Sequence, residues 1–485
     1  MNSGLNNTAC FEQKKMKKFF RYVLVIIVFG ILNSCQTGRH YERPPVQLPE
    51  KFTDSSSVID SNSIGDLSWK NYFSDPVLTT LIDSGLSRNF DLQYALKNIS
   101  IAESQVKQAN ALWYPQLSAG LSAQYNRFSD NGLSGGNSGP GISNRHFDYT
   151  ASLSMSWEID IWGKFPLQKQ ASRATFLQNI ELAKAAQTRL VADIANGYFS
   201  LLMLDQQLLQ AIKTLQLTID FVKLTRLLYD AGEVTYLGVQ QAMAQRDNTA
   251  QLVPQIEEAL QLQENGLKLL TGTLPGSIQR QAVLTDIHFN DSIEAGLPVA
   301  LLSRRPDVRA QEMFLLNANA QVGIRQVNMY PALNLTAGAG FESIKASNWF
   351  NLPASIFGLV GGTLIQPILQ RRQLKTQLEI ARRQREQAVI LFRSAVLNAA
   401  VEVTNALISI RKLKEQEVFA KQRSDNLDSA VHNAQLLFKN DLANYLEVIA
   451  AQQTALDAQL SLAFIQRSEL NARVELYRSL GGGWK

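Results

Sequence analysis

The chain has 485 residues, of which 45% are hydrophobic and 18% are charged, and this balance excludes a disordered or collagen-like protein. Two cysteines are too few for a disulfide scaffold. The formal net charge is +5, but residues 1–34 hold five lysine or arginine residues against one glutamate, which contributes +4. The remaining chain is nearly neutral and offers no basic patch for nucleic acid.

The N-terminus predicts a lipoprotein. A basic segment starting at Met16 precedes a short apolar run that ends at Leu32, which is the pattern of a secretory signal and is shorter than a membrane span. The next residues, Leu32-Asn-Ser-Cys35, resemble a lipobox. We therefore expect residues 1–34 to be a leader, with Met1 and Met16 as candidate starts. Cys35 would carry diacylglycerol and an N-acyl chain, and residues 35–66 would form a lipidated, extended tether.

Four segments alternate apolar and polar residues with the period of a β-strand, at about 115–127, 146–160, 332–342 and 356–366. A glycine-rich loop at 131–141 joins the first two. The alternation suits either a membrane barrel or two hairpins of a soluble sheet. In lipid, four strands would leave two unpaired edges, so the chain would have to oligomerise. Two copies give a barrel filled by side chains, whereas three give 12 strands and room for a lumen.

Long helical segments are predicted at 167–230, 371–439 and 446–480, and the first of them has heptad spacing typical of coiled coils. Pro254 is expected to kink or divide the helix that starts near Tyr236, and Arg304-Arg-Pro-Asp307 is expected to begin another. Residues 113–117 recur at 329–333, and 229–239 recur at 438–448, which predicts an internal two-fold repeat. The predicted repeats are residues 67–300 and 301–485.

The predicted fold is therefore mainly α with a small membrane β-sheet. It is a trimeric 12-stranded β-barrel, with four strands per protomer, continued by a long α-helical barrel. No catalytic residue, cofactor or metal site is predicted, because the four histidines are far apart in sequence and no phosphate-binding fingerprint occurs. A G-x-S-x-G match at 132–136 lies in a hairpin loop, not in a nucleophile elbow. We expect a passive protein, not an enzyme.

From Cys35 to the C-terminus the sequence resembles the TolC-like outer membrane factors, in the OprM/NodT-type lipoprotein branch. The stretches that carry the resemblance are Trp69–Pro76, Asn89–Leu92, Leu269–Pro275, Leu302–Arg309 and Leu480–Trp484. The resemblance implies a lipid-anchored homotrimeric duct in the outer membrane with a long periplasmic extension. It also implies that a periplasmic adaptor (membrane fusion) protein and an inner-membrane pump of the RND type would dock on the duct.

The same resemblance implies export of drugs, other small toxic compounds or metal ions. The sequence leaves two other functions open. One is the outer duct of a type I protein secretion system, and the other is a non-conducting coiled-coil envelope scaffold lipoprotein. The scaffold should lack strands that face lipid, and the secretion duct should work with an ATP-binding exporter.

The turns between the long helices are the predicted functional sites. Gly232 and Asp441 occupy equivalent positions of the repeat, where we expect a positive φ. By the resemblance these turns form the periplasmic tip, and the aperture residues are Glu447, Tyr445 and Phe438. The alternative for Glu447 is a solvated helix carboxylate. The predicted contacts of the hairpin tips with the adaptor are Gly232, Val234, Thr235, Asp441, Leu442 and Asn444.

Overall fold

A computed structural model describes residues 41–45, 63–129, 145–287, 289 and 298–485. The predicted leader, the acylation site Cys35, most of the tether and the glycine-rich loop at 131–141 lie outside the described residues. The description therefore covers both halves of the predicted repeat, apart from these segments and a short stretch near residue 290.

Four antiparallel strands form one sheet in the order β1-β2-β3-β4. Their alternating sequences place successive side chains on opposite faces. The bounds agree with the predicted strands to within about two residues, and they are β1 Gln116–Arg127, β2 Arg145–Ile159, β3 Ala332–Ser343 and β4 Ile356–Ile365.

Nine α-helices account for most of the described residues. They are α1 Trp69–Tyr72, α2 Pro76–Arg88, α3 Phe90–Ala111, α4 Lys164–Asp230, α5 Tyr236–Leu270, α6 Leu301–Arg304, α7 Pro306–Val327, α8 Gln373–Lys439 and α9 Tyr445–Ser479. Helix α7 starts at Pro306 as predicted. Helix α5 is not divided at Pro254, which lies inside its 35 residues. Proline removes one backbone hydrogen bond, and the neighbouring turns continue the helix on both sides.

The order of elements occurs twice, with matching lengths. Helices α3 and α7 each have 22 residues, α4 and α8 each have 67, and α5 and α9 each have 35. A strand pair stands between the first and second helix of each set. The mainly helical fold, the small sheet and the internal repeat are thus as predicted.

The chain folds into two compact units, each of which takes segments from both halves. The strand unit contains the described residues of 1–43, 102–176 and 314–389. The helical unit contains those of 44–101, 177–313 and 390–485. Each unit contains equivalent parts of both repeats, so the division into units does not test where one repeat ends. The bounds of the sequence repeats, 67–300 and 301–485, therefore stay predictions.

The core of the helical unit joins α1 and α2 to the middle of α4 and the C-terminal part of α9. The Tyr72 and Tyr477 rings stack with centroids 4.1 Å apart, and Phe73 meets Tyr477 edge to face. Asn89 connects two helices here, because its side-chain amide donates to the Leu270 carbonyl at the end of α5 and its carbonyl accepts from the Leu92 amide in α3. These contacts fix the ends of α3 and α5 relative to α4 and α9.

Candidate functional site

The sheet has one apolar and one polar face. Residues directly opposite each other on neighbouring strands share a face, so the register defines rows across the sheet. One row consists of Leu121, Ala151, Phe341 and Ile356. The next row on the other face is polar or small, and it consists of Ser122, Thr150 and Glu342. The alternation found in the sequence therefore continues across β1, β2 and β3, whereas β4 adds Phe357 and Leu359 to the polar face, opposite Gly340 and Gly338.

Side chains of both faces are exposed in the protomer. Leu121 on the apolar face is 78% exposed, and Leu117 and Leu364 are also exposed. On the polar face Ser118 and Ser154 are exposed and share a hydrogen bond of 2.7 Å between their hydroxyl oxygens. A soluble sheet would bury its apolar face, whereas a membrane barrel turns that face to lipid and the polar face to a lumen.

Both edges of the sheet are open. Strand β1 pairs only with β2, and β4 pairs only with β3, within the described residues. An unpaired edge in hydrocarbon leaves N–H and C=O groups without partners, at a cost of several kcal/mol for each group. A sheet with these faces can therefore stay in a bilayer only when other strands close it.

Aromatic side chains lie at both ends of the strands. At the end near the β1–β2 hairpin, Tyr125 contacts Phe147, and Tyr149 contacts Trp349, with ring centroids 5.2 and 5.6 Å apart. At the opposite end the Trp162 indole donates to the Pro331 carbonyl over 2.7 Å and contacts Tyr330. Aromatic belts of this kind mark the two interfaces of membrane barrels.

The two hairpin turns have the same backbone geometry. Gly232 has φ +82° and Asp441 has φ +59°, so the positive φ expected at both positions is confirmed. The Glu233 amide donates to the Leu228 carbonyl, and the Leu442 amide donates to the Leu437 carbonyl, both over 2.9 Å. These bonds close the C-terminal ends of α4 and α8 in the same way.

Asn444 and Glu447 form a capping box at the start of α9. The Asn444 side chain accepts from the Leu446 and Glu447 amides at 2.9 and 3.2 Å, and the Glu447 carboxylate accepts from the Asn444 amide at 3.2 Å. Glu447 thus has a structural task, and its carboxylate is exposed. We did not identify this cap from the sequence, although the spacing N-x-x-E before a helix is its usual signal. The aperture role of Glu447 stays a prediction.

Phe438 is buried in the protomer, and its aperture role stays a prediction. It is 4% exposed and lies in a small core with Phe221, Ala242 and Val448. Its ring lies 5.3 Å from that of Phe221, since burying two rings together is more favourable than leaving either in water. Tyr445 is half-buried beside this core, so only part of its surface can face an aperture.

The remaining tip residues differ in exposure. Leu442 is 74% exposed at the second turn, and Val234 is partly buried against the small core around Phe438. Thr235 and Asn444 are the N-caps of α5 and α9, but only Asn444 makes a side-chain capping bond. An adaptor contact at these residues stays a prediction, and exposed apolar side chains at the tip favour it.

A buried arginine connects α7, α8 and α9 in the helical unit. Arg305 donates to Asp307 over 2.6 Å, to Glu402 over 2.7 Å and to the Ser479 carbonyl over 3.1 Å. Burial alone would lower the pKa of this guanidinium, but the hydrogen bonds and charges of Asp307 and Glu402 outweigh burial and raise the pKa. The sequence indicated the helix start but not Glu402, which lies 97 residues away.

The described residues contain no group of three or more histidine, cysteine or acidic side chains that could hold a metal ion.

Comparison with known proteins identifies the family of this chain. A family model described as outer membrane efflux protein matches residues 81–273 and 297–482. These two ranges cover more than half of the chain and include the four strands and nearly all of the long helices.

Curated relatives match over almost the whole chain. The cation efflux system protein CusC of Escherichia coli O6:H1 is 28% identical over 460 residues, which are 94% of this chain and 97% of that protein. A probable outer membrane lipoprotein, SilC of Salmonella typhimurium, is 26% identical and covers 95% of this chain and 98% of its own length. The solved structure of the outer-membrane channel OprN has a TM-score of 0.83 and 25% identity, over 93% of this chain and 100% of that one.

Proposed function

The chain belongs to the outer membrane efflux protein family, and on that premise we propose that three copies form the outer-membrane duct of a tripartite efflux system. The relative CusC is named for cation efflux, the relative SilC is named as a probable outer membrane lipoprotein, and OprN, a solved structure of the same fold, is an outer-membrane channel. Outer membrane efflux is therefore the function of this chain. The number of copies, the partners and the cargo are proposed below.

The single observation that carries the trimer is the two-faced sheet with open edges. Pairing β1 of one copy with β4 of the next would satisfy both edges at once and continue the apolar and polar faces around a ring. Three copies supply 3 × 4 = 12 strands, since each copy contributes a four-stranded sheet. A barrel of that size leaves room for a polar lumen, whereas eight strands would not.

The duct would be passive, and partners would supply energy and control. A periplasmic adaptor would dock on the hairpin tips, where exposed apolar side chains including Tyr236, Leu237 and Leu442 offer a surface that water does not favour. An inner-membrane pump, which the resemblance suggests is of the RND type, would deliver the cargo. The chain itself would perform no chemistry.

The proposed cargo is a range of small toxic compounds, either drugs or metal ions. The relative CusC is named for cation efflux, which supports metal ions as one class of cargo. A wide polar path selects weakly, so choice among compounds would belong to the pump.

The structure bears differently on the two alternatives, the coiled-coil scaffold and the protein secretion duct. A coiled-coil scaffold should lack strands that face lipid, and the exposed apolar face of the sheet contradicts it. A protein secretion duct would have the same barrel, so it differs only in its exporter and cargo. The relative CusC, which is named for cation efflux, favours small compounds over secreted proteins.

The test is the oligomer mass of the purified, lipidated protein together with its conductance in a planar bilayer. We expect a mass of three protomers and discrete ion-conducting steps. A monomer, or a trimer that conducts neither as the natural protein nor after Glu447→Ala, would contradict the duct. Measuring both quantities on one preparation separates failure to assemble from a closed aperture.

A further inference from the structure

The loop between β4 and α8 exposes two large apolar side chains. Ile368 is 86% exposed and Leu369 is 93% exposed, which is the highest value for a large apolar side chain among the described residues. Strand β4 ends at Ile365 and α8 begins at Gln373, so the two side chains follow directly after the sheet. Adjacent apolar side chains that stay this accessible favour contact with an apolar environment other than water.

This loop lies at the end of the sheet opposite the β1–β2 hairpin. The Gln366 side chain donates to the Met329 carbonyl over 3.1 Å. Pro367 lines a cavity together with Trp162 and Tyr330, the aromatic residues at that end. Because such aromatic residues mark an interface of a membrane barrel, the loop lies at the level of the lipid headgroups when the sheet is inserted.

The same loop is basic. Residues 366–378 include Arg371, Arg372 and Lys375 and no acidic residue. All three basic residues are exposed. Helices α4 and α8 start 373 − 164 = 209 residues apart, so the equivalent residues of the first half are 157–169. Those residues include two acidic and two basic side chains, and the excess of positive charge therefore belongs to the second half alone.

Arg371 and Arg372 both adopt a left-handed backbone conformation, with φ values of +47° and +64°. The equivalent of Arg372 in the first half is Gly163, which has φ +76°. Glycine takes this conformation without cost, whereas the Cβ atom of any other residue makes it unfavourable. The turn alone is therefore better served by glycine, and what the two arginines add is positive charge.

The charge of Arg372 is available to a ligand. Arg372 pairs with Glu379 over 3.2 Å, but the two side chains are 71% and 57% exposed. An ion pair this exposed adds little stability, because water competes for both partners. A guanidinium can form two parallel hydrogen bonds to a phosphate group, so Arg372 can exchange Glu379 for a phosphate at little cost.

We propose that the loop 366–378 binds anionic phospholipids of the bilayer that holds the sheet. Ile368 and Leu369 enter the apolar part of the bilayer, and Arg371, Arg372 and Lys375 contact the phosphate groups at its surface. Apolar residues next to basic ones are typical of segments that lie in this interface, where each basic residue is attracted to anionic lipid. The inference rests on the proposed membrane duct and adds a ligand class to it.

Lipid titration of the full-length, lipidated protein tests this surface. The melting temperature of the protein in detergent is followed as phosphatidylglycerol, phosphatidylcholine or inorganic phosphate is added. We expect phosphatidylglycerol to raise the melting temperature, and the double variant Arg371→Gly with Arg372→Gly to need about tenfold more of this lipid for the same rise. Without lipid the variant should melt at about the temperature of the natural protein, because glycine suits the left-handed conformation.

The matched control is Arg382→Ala with Arg383→Ala, which removes the same charge from exposed positions of α8. These residues begin 382 − 372 = 10 positions further along, which is about 15 Å from the loop. That distance exceeds the screening length of physiological salt, so the control should need the same amount of phosphatidylglycerol as the natural protein to within about twofold.

A second variant separates lipid from a neighbouring copy as the cover of the apolar side chains. Ile368→Ser with Leu369→Ser should keep the mass of a trimer in detergent and need more phosphatidylglycerol than the natural protein for the same rise in melting temperature. Loss of the trimer mass in this variant would mean that a neighbouring copy covers Ile368 and Leu369, and it would overturn the lipid contact.

The remaining outcomes separate this inference from the proposed function. If phosphatidylglycerol acts equally on the natural protein and the double glycine variant, the arginines do not bind lipid and the inference is wrong. It is also wrong if phosphatidylcholine or inorganic phosphate acts as strongly as phosphatidylglycerol, because the ligand is then not an anionic lipid. A trimer without this lipid preference leaves the duct standing, whereas a monomeric natural protein would overturn the duct itself.

Discussion

Glu447 has one observed role, in the capping box of α9, and one predicted role, at the aperture, and a single substitution would remove both. Its charge is what a ring of carboxylates at the aperture would use, and its oxygen is what the capping box of α9 uses. Because the cap alone explains a glutamate at this position, a change in conductance after Glu447→Ala would not by itself show a gate.

Glu447→Gln separates the two roles. The amide oxygen can still accept from the Asn444 amide, so we expect thermal stability to change by less than about 0.5 kcal/mol. The selectivity of single channels for cations over anions should fall, because a ring of negative charges is lost. The comparison is Glu447→Ala, which should lose the selectivity and also about 0.5–1 kcal/mol of stability. Unchanged selectivity in both variants would remove Glu447 from the aperture.

Arg305 connects three helices through its guanidinium, so its loss should lower stability. Arg305→Ala would leave Asp307 without this cation and Glu402 with Arg478 at 3.2 Å, which we expect to cost about 2 kcal/mol because both carboxylates keep part of their contact with water. Thermal or denaturant unfolding of the trimer measures the change. Arg304→Ala is the matched control, because Arg304 lies next in the chain, is more exposed and pairs with Asp66, so its loss should cost about 1 kcal/mol or less. Equal losses in both variants would contradict the central role of Arg305.

The pKa of Asp307 gives this cluster a dependence on pH. Burial alone would raise that pKa, but the hydrogen bonds and charge of Arg305 lower it below its ordinary value of 3.8. A carboxyl group with a lowered pKa stabilises the fold above its ordinary pKa and loses that effect as pH falls through the lowered value. The stability difference between the natural protein and Asp307→Asn should thus be constant from pH 7 to about 5 and shrink below about 4. A difference that instead grows in acid would contradict this assignment.

At the scale of elements, the two faces of the sheet can be told apart by one pair of neighbouring substitutions. Leu121→Arg places a charge on the apolar face, which should cost about 2–4 kcal/mol if that face meets lipid near the middle of the bilayer. Ser122→Arg places the same charge on the polar face one residue later, where it should alter conductance and leave folding intact. The measurement is the amount of folded protein in the outer membrane. Equal amounts of both variants would mean that lipid does not contact the apolar face.

The elements that the sequence predicted well are those with a strong period. Strands could be located from the alternation in β1 and β2, and the first long helix from heptad spacing, because burial on one face or stripe imposes those periods. Pro254 does not divide α5, because proline removes one hydrogen bond and the other bonds of the helix remain, and a kink at Pro254 stays a prediction.

The candidate site was only partly predictable. A positive φ at Gly232 and Asp441 follows from local residue preferences, and both were predicted. The burial of Phe438 depends on Phe221, which lies far away in sequence, and the bond from Arg305 to Glu402 spans 97 residues. Such contacts have no local signal in a single sequence.

At the scale of the whole molecule, the predicted lipid anchor can be separated from the barrel. Cys35→Ser should remove the acyl chains, which intact-mass measurement would show as a mature N-terminus without added lipid. We expect the unlipidated protein to stay in the outer membrane if the sheet is inserted, because a closed barrel keeps a protein in the bilayer without a lipid anchor. Release of the variant into the periplasm would mean that the lipid, and not the sheet, provides attachment. An unaltered mass would instead contradict acylation at Cys35.

The equal lengths of the paired helices limit how such a chain can change in evolution. A seven-residue insertion in α5 alone would displace one end of its hairpin by about 10 Å relative to the partner helix. The lengths of 67 and 35 residues occur in both halves. The turns of the two hairpins therefore stay at the same height along the helix axes only if α4, α5, α8 and α9 all gain or lose the same number of helical turns. Single insertions or deletions within these helices should therefore be rejected by selection, and those that persist should fall in the connecting loops.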